Sequence, residues 1–186
     1  MLSLFFMLIN QKIIKYFVFF ILCLNIFSSI AQTNEYVPLN NIVLYKTPKP
    51  IRPIVFQDFL GKEVNLKDYK GKIVVINFWA TWCEPCKEEM PSLDDLYTKY
   101  NFKNLQIFPV NMEEPNKSKT KEFFKDLKIS NLEIFFDKNL SFVKDFKLRG
   151  VPTTVLLNKK GDEFARVVGS IDFNNKKFVK WLLDYD

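Results

Sequence analysis

Ile73-Val74-Val75-Ile76 is an unbroken run of β-branched apolar residues, and four in succession predict a strand buried on both faces. Polar and apolar positions then change spacing. From Glu84 to Tyr100 the pattern is helical, with Pro85 at the helix start and Pro91 inside it, where a kink is expected. Leu105 to Asn111 predicts a second strand, Met112 to Pro115 a loop, and Asn116 to Leu127 a helix carried by Phe123, Phe124 and Leu127. Leu132 to Phe136 predicts a strand and Leu140 to Phe146 a short helix. Thr153 to Leu157 and Glu163 to Gly169 flank Lys159-Lys160-Gly161 as an antiparallel hairpin, and Asn174 to Leu183 closes as a helix built on Phe178, Trp181 and Leu182. Ahead of the central run, Val55 to Phe59 and Glu63 to Leu66 form a second hairpin across Gly61, and Asp68 to Gly71 is the turn into the central strand.

This order of elements predicts an α/β fold: a central mixed sheet, helices on both faces, and an extra N-terminal β-hairpin. The globular domain is expected over residues 54–186. Residues 32–53, with Pro38, Pro48, Pro50 and Pro53 among polar residues, are read as an extended linker, in which Ile42-Val43-Leu44-Tyr45 offers a short pairing segment.

The first 31 residues are of a different character. Lys12 and Lys15 precede an apolar run from Tyr16 to Phe27, and Ser29-Ile30-Ala31 has the small-x-small form of a cleavage site. The segment is a signal peptide, or an uncleaved membrane anchor through residues 13–30. Either reading leaves the lysines inside and places the rest of the chain outside the cytoplasm, periplasmic or extracytoplasmic. Cys23 lies in this run as apolar filler.

Charge narrows the function classes. The net charge of +6 falls to +4 from Gln32 onward, where acids and bases are interspersed, as in Lys121-Glu122 and Lys125-Asp126. No basic recognition module is apparent, so nucleic acid is not expected as a partner. Beyond residue 31 the chain has two cysteines, Cys83 and Cys86, and it has no histidine. Zinc asks for four Cys, His or carboxylate ligands, so no metal and no cofactor are expected. In a compartment that permits disulfides, one C-x-x-C pair fits a redox dithiol. Cys83 sits where strand gives way to helix. The helix N-terminus carries roughly half a positive charge and lowers the pKa of a thiol there, which makes Cys83 the nucleophile and the inward-facing Cys86 the resolving thiol.

The stretch NFWATWCEPC, together with Gly150-Val151-Pro152-Thr153-Thr154, resembles the thioredoxin superfamily, and specifically its secreted thiol:disulfide oxidoreductases of the TlpA, ResA and DsbE type. The resemblance runs from about Pro53 to the C-terminus. It implies a thioredoxin fold, a cis bond before Pro152, and a Val151 backbone that pairs with an extended substrate. Trp82, Glu84, Pro85, Val151 and Pro152 are the implied substrate-binding residues, and Trp79 is read as core. Thioredoxin proper has a buried aspartate where this chain has Asn77. The resembled enzymes place a glutamate in the loop after the next strand, for which Glu114 is the positional match and Glu113 the fallback; the catalytic set is then Cys83, Cys86 and Glu114.

What the resemblance implies in function is an enzyme that reduces protein disulfides: cysteines of apocytochrome c before haem attachment, or copper-site cysteines, with a membrane thiol reductase as electron donor. The alternatives are a disulfide-forming oxidant and a copper-handling binding protein on the same fold. The peroxiredoxin pattern P-x-x-x-T-x-x-C is not matched, because Thr81 stands two residues before Cys83 and lacks the upstream proline.

Overall fold

The computed structural model describes residues 39–137 and 140–186; the N-terminal segment, with its expected signal peptide or anchor and the first part of the expected linker, lies outside the described residues. Eight strands and four α-helices follow in the order β1 Ile42–Pro50, β2 Val55–Asp58, β3 Glu63–Asn65, β4 Ile73–Trp79, α1 Glu84–Lys99, β5 Leu105–Asn111, α2 Lys117–Asp126, β6 Phe135–Phe136, α3 Ser141–Asp145, β7 Thr153–Leu157, β8 Asp162–Val168 and α4 Lys176–Leu183. They make one mixed sheet ordered β1-β8-β7-β4-β5-β6-β2-β3. β4 runs parallel to β5 and β5 to β6, while every other neighbouring pair is antiparallel.

The central run behaves as its composition dictates. Every residue of β4 is buried, and successive side chains go to opposite faces. Ile73, Val75 and Trp79 join Met90, Leu93 and Leu96 of α1 and Phe178 and Leu182 of α4 in one core. Val74, Ile76 and Phe78 join Phe56, Phe108, Phe142 and Phe146 in the other. Some phenylalanines of this second core meet edge to face, as Phe56 does on Phe108 at 5.1 Å and Phe108 on Phe135 at 5.0 Å, while Phe142 stacks on Phe146 at 5.7 Å. Helices thus cover both faces, and the β2–β3 hairpin is present as expected.

Two elements differ from the pattern reading. The stretch expected as linker contains a nine-residue edge strand, β1, with Ile42 opposite Val167 and Pro50 opposite Asp162. An edge strand tolerates proline because one side needs no ladder partner, and the register breaks between Leu44 and Lys49. Its lysines and prolines also blunt a pairing edge. The strand expected over Leu132 to Phe136 shrinks to Phe135–Phe136. At its start stands Asp94, a buried carboxylate on α1 that accepts the backbone N–H groups of Ser130 (3.3 Å), Asn131 (2.9 Å) and Leu132 (2.9 Å) and the Asn131 side chain (2.8 Å), so the first residue of the expected strand gives its donor to a side chain. Backbone donors taken by a side chain are lost to a ladder. Among the described residues, no helix is long and apolar enough to cross a membrane.

Candidate active site

The chain leaves β4 at Trp79, turns through Ala80 to Trp82, and enters α1 with Cys83 as its N-cap. The Cys83 N–H donates to the Ala80 carbonyl (3.2 Å), and the Cys86 N–H donates to the Cys83 carbonyl (3.1 Å) and approaches Cys83 Sγ at 3.3 Å. A first-turn donor aimed at the sulfur favours the thiolate of Cys83 over its thiol. The two cysteines are joined as a disulfide. Cys83 is only 4% exposed and Cys86 not at all, so the expected contrast in exposure is small in this oxidised form. Trp82, by contrast, is 69% exposed, and Glu84 and Pro85 are exposed beside it. Glu84 forms an ion pair with Lys87 at 2.7 Å. Trp79 lies in the core, stacked on Phe123 with ring centroids 4.5 Å apart.

Behind the dithiol is a residue the sequence reading missed. Glu89 is three residues beyond Cys86, on the same face of α1, and it is buried. Asn77 Nδ2 donates to its carboxylate at 2.7 Å and also to Thr154 Oγ1 at 3.0 Å, while the Ile171 N–H donates to the other oxygen at 3.2 Å. Burial drives its pKa up to about 7, against the smaller lowering effect of the Asn77 and Ile171 hydrogen bonds. The signal was present in the spacing: Cys86, Glu89, Met90 and Leu93 follow the i, i+3, i+4, i+7 stripe of the buried helix face, and a carboxylate in that stripe is out of place unless it has a task.

The two loop glutamates separate. Glu114 is exposed and makes no hydrogen bond or ion pair among the described residues. Glu113 turns inward instead. Its carboxylate accepts the Thr81 N–H (2.5 Å) and the Thr81 hydroxyl (3.0 Å), is approached by Asn111 Nδ2 at 3.3 Å, and pairs with Lys119 at 2.8 Å. Burial pushes the Glu113 carboxyl up, but the hydrogen bonds from Lys119, Thr81 and Asn111 together hold it below its ordinary value, so it remains ionised. Thr81 is two residues from Cys83, and it is Glu113 that fixes this turn.

Opposite the dithiol lies the Gly150–Pro152 loop. Antiparallel pairing of β4 with β7 sets Phe78 beside Thr153, so Pro152 and Val151 continue alongside the turn that leads to Cys83. The Val151–Pro152 bond is cis, and Pro152 is buried with its carbonyl accepting the Gly169 N–H at 3.0 Å. Val151 is half-buried, and its backbone makes no hydrogen bond among the described residues.

This geometry agrees with the comparisons. The family model described as AhpC/TSA family matches residues 49–162. The chain belongs to that family. Among curated proteins, this AhpC/TSA member is 37% identical over 117 residues to a thiol-disulfide oxidoreductase ResA of Bacillus cereus, a match spanning 62% of this chain and 65% of that one. It is 36% identical over 108 residues to the protein of the same name from Halalkalibacterium halodurans, spanning 58% and 60% of the two chains. The chain thus spans just under two thirds of the length of these relatives. Among solved structures, it resembles a putative thiol:disulfide interchange protein DsbE from Chlorobium tepidum (TM-score 0.66, 23% identity, 77% of this chain and 99% of that one). StoA from Bacillus subtilis is similar at a TM-score of 0.60 and 25% identity, with 73% and 99% covered. The thioredoxin fold expected from the sequence is therefore the fold of this chain.

Proposed function

We propose that this protein is an extracytoplasmic thiol:disulfide oxidoreductase that reduces protein disulfides through Cys83 and Cys86. The observation that carries the reading is the Cys83–Cys86 pair capping α1 with a buried, proton-holding Glu89 one turn behind it. In the reduced enzyme the Cys83 thiolate attacks one sulfur of a substrate disulfide. The substrate's S–S bond breaks, its other sulfur departs as a thiolate and takes a proton, and a Cys83–substrate mixed disulfide forms. Cys86 then gives up its proton and attacks Cys83 Sγ, which releases the second substrate sulfur and leaves the enzyme's disulfide. Two electrons have passed from the dithiol to the substrate. Glu89, with a pKa near neutrality, is the group suited to take the proton of Cys86, a part Asn77 cannot play because an amide does not accept a proton at this pH.

Trp82, Glu84 and Pro85 form one wall of the docking surface, and the unpartnered Val151 backbone forms the other, where an extended substrate segment adds like a strand. The substrates are cysteine pairs of secreted proteins, apocytochrome c or copper-site cysteines among them. A membrane thiol reductase returns the electrons. Support for the compartment comes from the apolar N-terminal run behind Lys12 and Lys15.

Insulin-disulfide reduction by the full chain tests the activity, and a Cys86→Ser variant tests the roles. That variant should accumulate mixed disulfides on Cys83 that a Cys83→Ser variant does not form. Equal trapping by both variants overturns the assignment of nucleophile and resolving thiol.

A further inference from the structure

Away from the dithiol, two grooves share Pro50, Ile51 and Arg52 and so form one band. The first, about 460 Å³, is lined by Lys49, Arg52, Lys144 and Lys147, with Arg166 at its floor. The second, about 250 Å³, adds Lys67, Lys70 and Lys160. Within the second, the Gly71 N–H donates to the Lys159 carbonyl at 2.8 Å, which holds the turn of Lys70 beside that of Lys160.

The charge of the molecule is concentrated here. Eight cations line the band against three acids, Asp145, Asp162 and Glu163, a surplus of +5. From Leu39 onward the chain's net charge is also +5, the whole chain's +6 less two lysines and one glutamate that precede it. The rest of the domain therefore sums to neutrality. Glu163 is spent on Arg166 at 2.8 Å, whereas the other seven cations are exposed and none belongs to an ion pair among the described residues. Like charges gathered in excess of their counter-charges repel one another, and the arrangement is offset when an anionic surface is brought against it.

We propose that this band docks the domain on the anionic phospholipid headgroups of a bilayer. Three observations favour a lipid surface over an acidic protein. Apolar side chains are interleaved with the cations, including Pro50 and Ile51 between Lys49 and Arg52. Long basic side chains around shallow apolar groups suit a headgroup layer. On the reading of residues 13–30 as an uncleaved anchor, the apolar run Tyr16 to Phe27 stands a short chain length before the domain in the sequence and keeps a bilayer within reach. The band also leaves the chemistry free. Val74 and Leu157 line its second groove at the start of β4, and the dithiol follows the other end of that strand, about 16 Å further along. Docked in this way, the domain presents Cys83, Trp82 and Val151 away from the headgroups.

The test uses the full chain in nanodiscs of phosphatidylcholine alone, or of phosphatidylcholine mixed with phosphatidylglycerol, with lysine acylation rates read by mass spectrometry. Lys67, Lys70, Lys144 and Lys147 should be acylated at least about threefold more slowly in the anionic discs, while Lys125 and Lys180, on helices of the opposite face, keep their rates. Raising salt to about 0.5 M should abolish the protection, because the Debye length shrinks to a few ångströms. A Lys144→Glu/Lys147→Glu variant should lose the protection at Lys67 and Lys70 and still reduce insulin at the parental rate, which shows it folded. Equal rates in the two lipids overturn the proposal. Protection that appears only when soluble polyglutamate is added overturns it too, and assigns the band to an acidic polypeptide.

Discussion

Replacing Glu89 by glutamine should remove most of the pH dependence of stability between pH 4.5 and 7. The carboxyl holds its proton up to about pH 7 in the folded protein, against an ordinary value of 4.5. Between those values the native state binds more protons than the unfolded chain, so stability falls as pH rises through this window. Each unit of difference is worth about 1.4 kcal/mol, so the whole shift amounts to about 3 kcal/mol, a large share of the 5–15 kcal/mol that holds a typical domain together. An amide of the same shape carries no such term. It also keeps its hydrogen bonds: one end can accept the Ile171 N–H, and the other can donate to Asn77 Oδ1, a buried oxygen without a partner among the described residues, once the Asn77 amide turns over. Denaturant unfolding of the oxidised protein at intervals from pH 4.5 to 8 is the assay. The variant should gain on the parent by about 3 kcal/mol across the range. Parallel curves would refute the buried, near-neutral carboxyl. The same substitution removes the proton acceptor for Cys86, so resolution of a mixed disulfide at pH 7.5 should slow on the order of 10²-fold.

Glu113→Gln should lower the alkylation pKa of Cys83 by about a few tenths of a unit, the size of a Coulomb term between neighbouring charges in a solvent-like dielectric. Glu114→Gln should leave it unchanged, and identical profiles for the two would remove Glu113 from the site. Asp94→Ala strands three backbone N–H groups and should cost about 3 kcal/mol or more in denaturant unfolding, whereas a loss under about 1 kcal/mol would mean water replaces the carboxylate. The reduction potential, measured in glutathione buffers, should be more negative than the roughly −180 mV of protein disulfide isomerase. The residue beside Cys83 is Glu84 with Lys87 as its partner, and no cation stands between the cysteines to stabilise the thiolate; a value near −120 mV would reverse the direction of electron flow.

How much of this was legible in the chain depends on what each residue answers to. The central strand, the helix behind it and both hairpins follow local rules: β-branched runs, proline at a helix start, glycine at a turn. Those rules needed no distant partner. Prolines among polar residues give 32–53 the look of a linker with a short pairing segment at Ile42 to Tyr45, and that an edge of β8 stands open to the whole of 42–50 is decided elsewhere in the chain. The shortened β6 has a related origin at its start, since Leu132 gives its N–H to Asp94, 38 positions earlier.

The site divides along the same line. Cys83, Cys86 and Pro152 sit in motifs whose residues are neighbours in sequence, so a local reading reaches them. The glutamates were not settled by that route. Glu113 and Glu114 are equivalent as letters in a loop, and only the arrival of Thr81, 32 positions away, distinguishes them. Glu88 and Glu89 form a second such doublet, yet here the helix itself does the sorting. Stepping three and four from Cys86 reaches Glu89 and Met90 and leaves Glu88 on the wet side. A carboxylate on that stripe has three ways to be tolerated: a cation beside it, donors around it, or a retained proton. Among the described residues no cation pairs with Glu89, and the two donors that reach it do not outweigh burial, so it keeps its proton to near neutrality. Asparagine at position 77 is what makes this arrangement workable. An aspartate there would set a second negative charge 2.7 Å from the first, and the pair could not both ionise. The amide at 77 and the acid at 89 are therefore one feature, with the proton-accepting group carried by the helix that bears the cysteines.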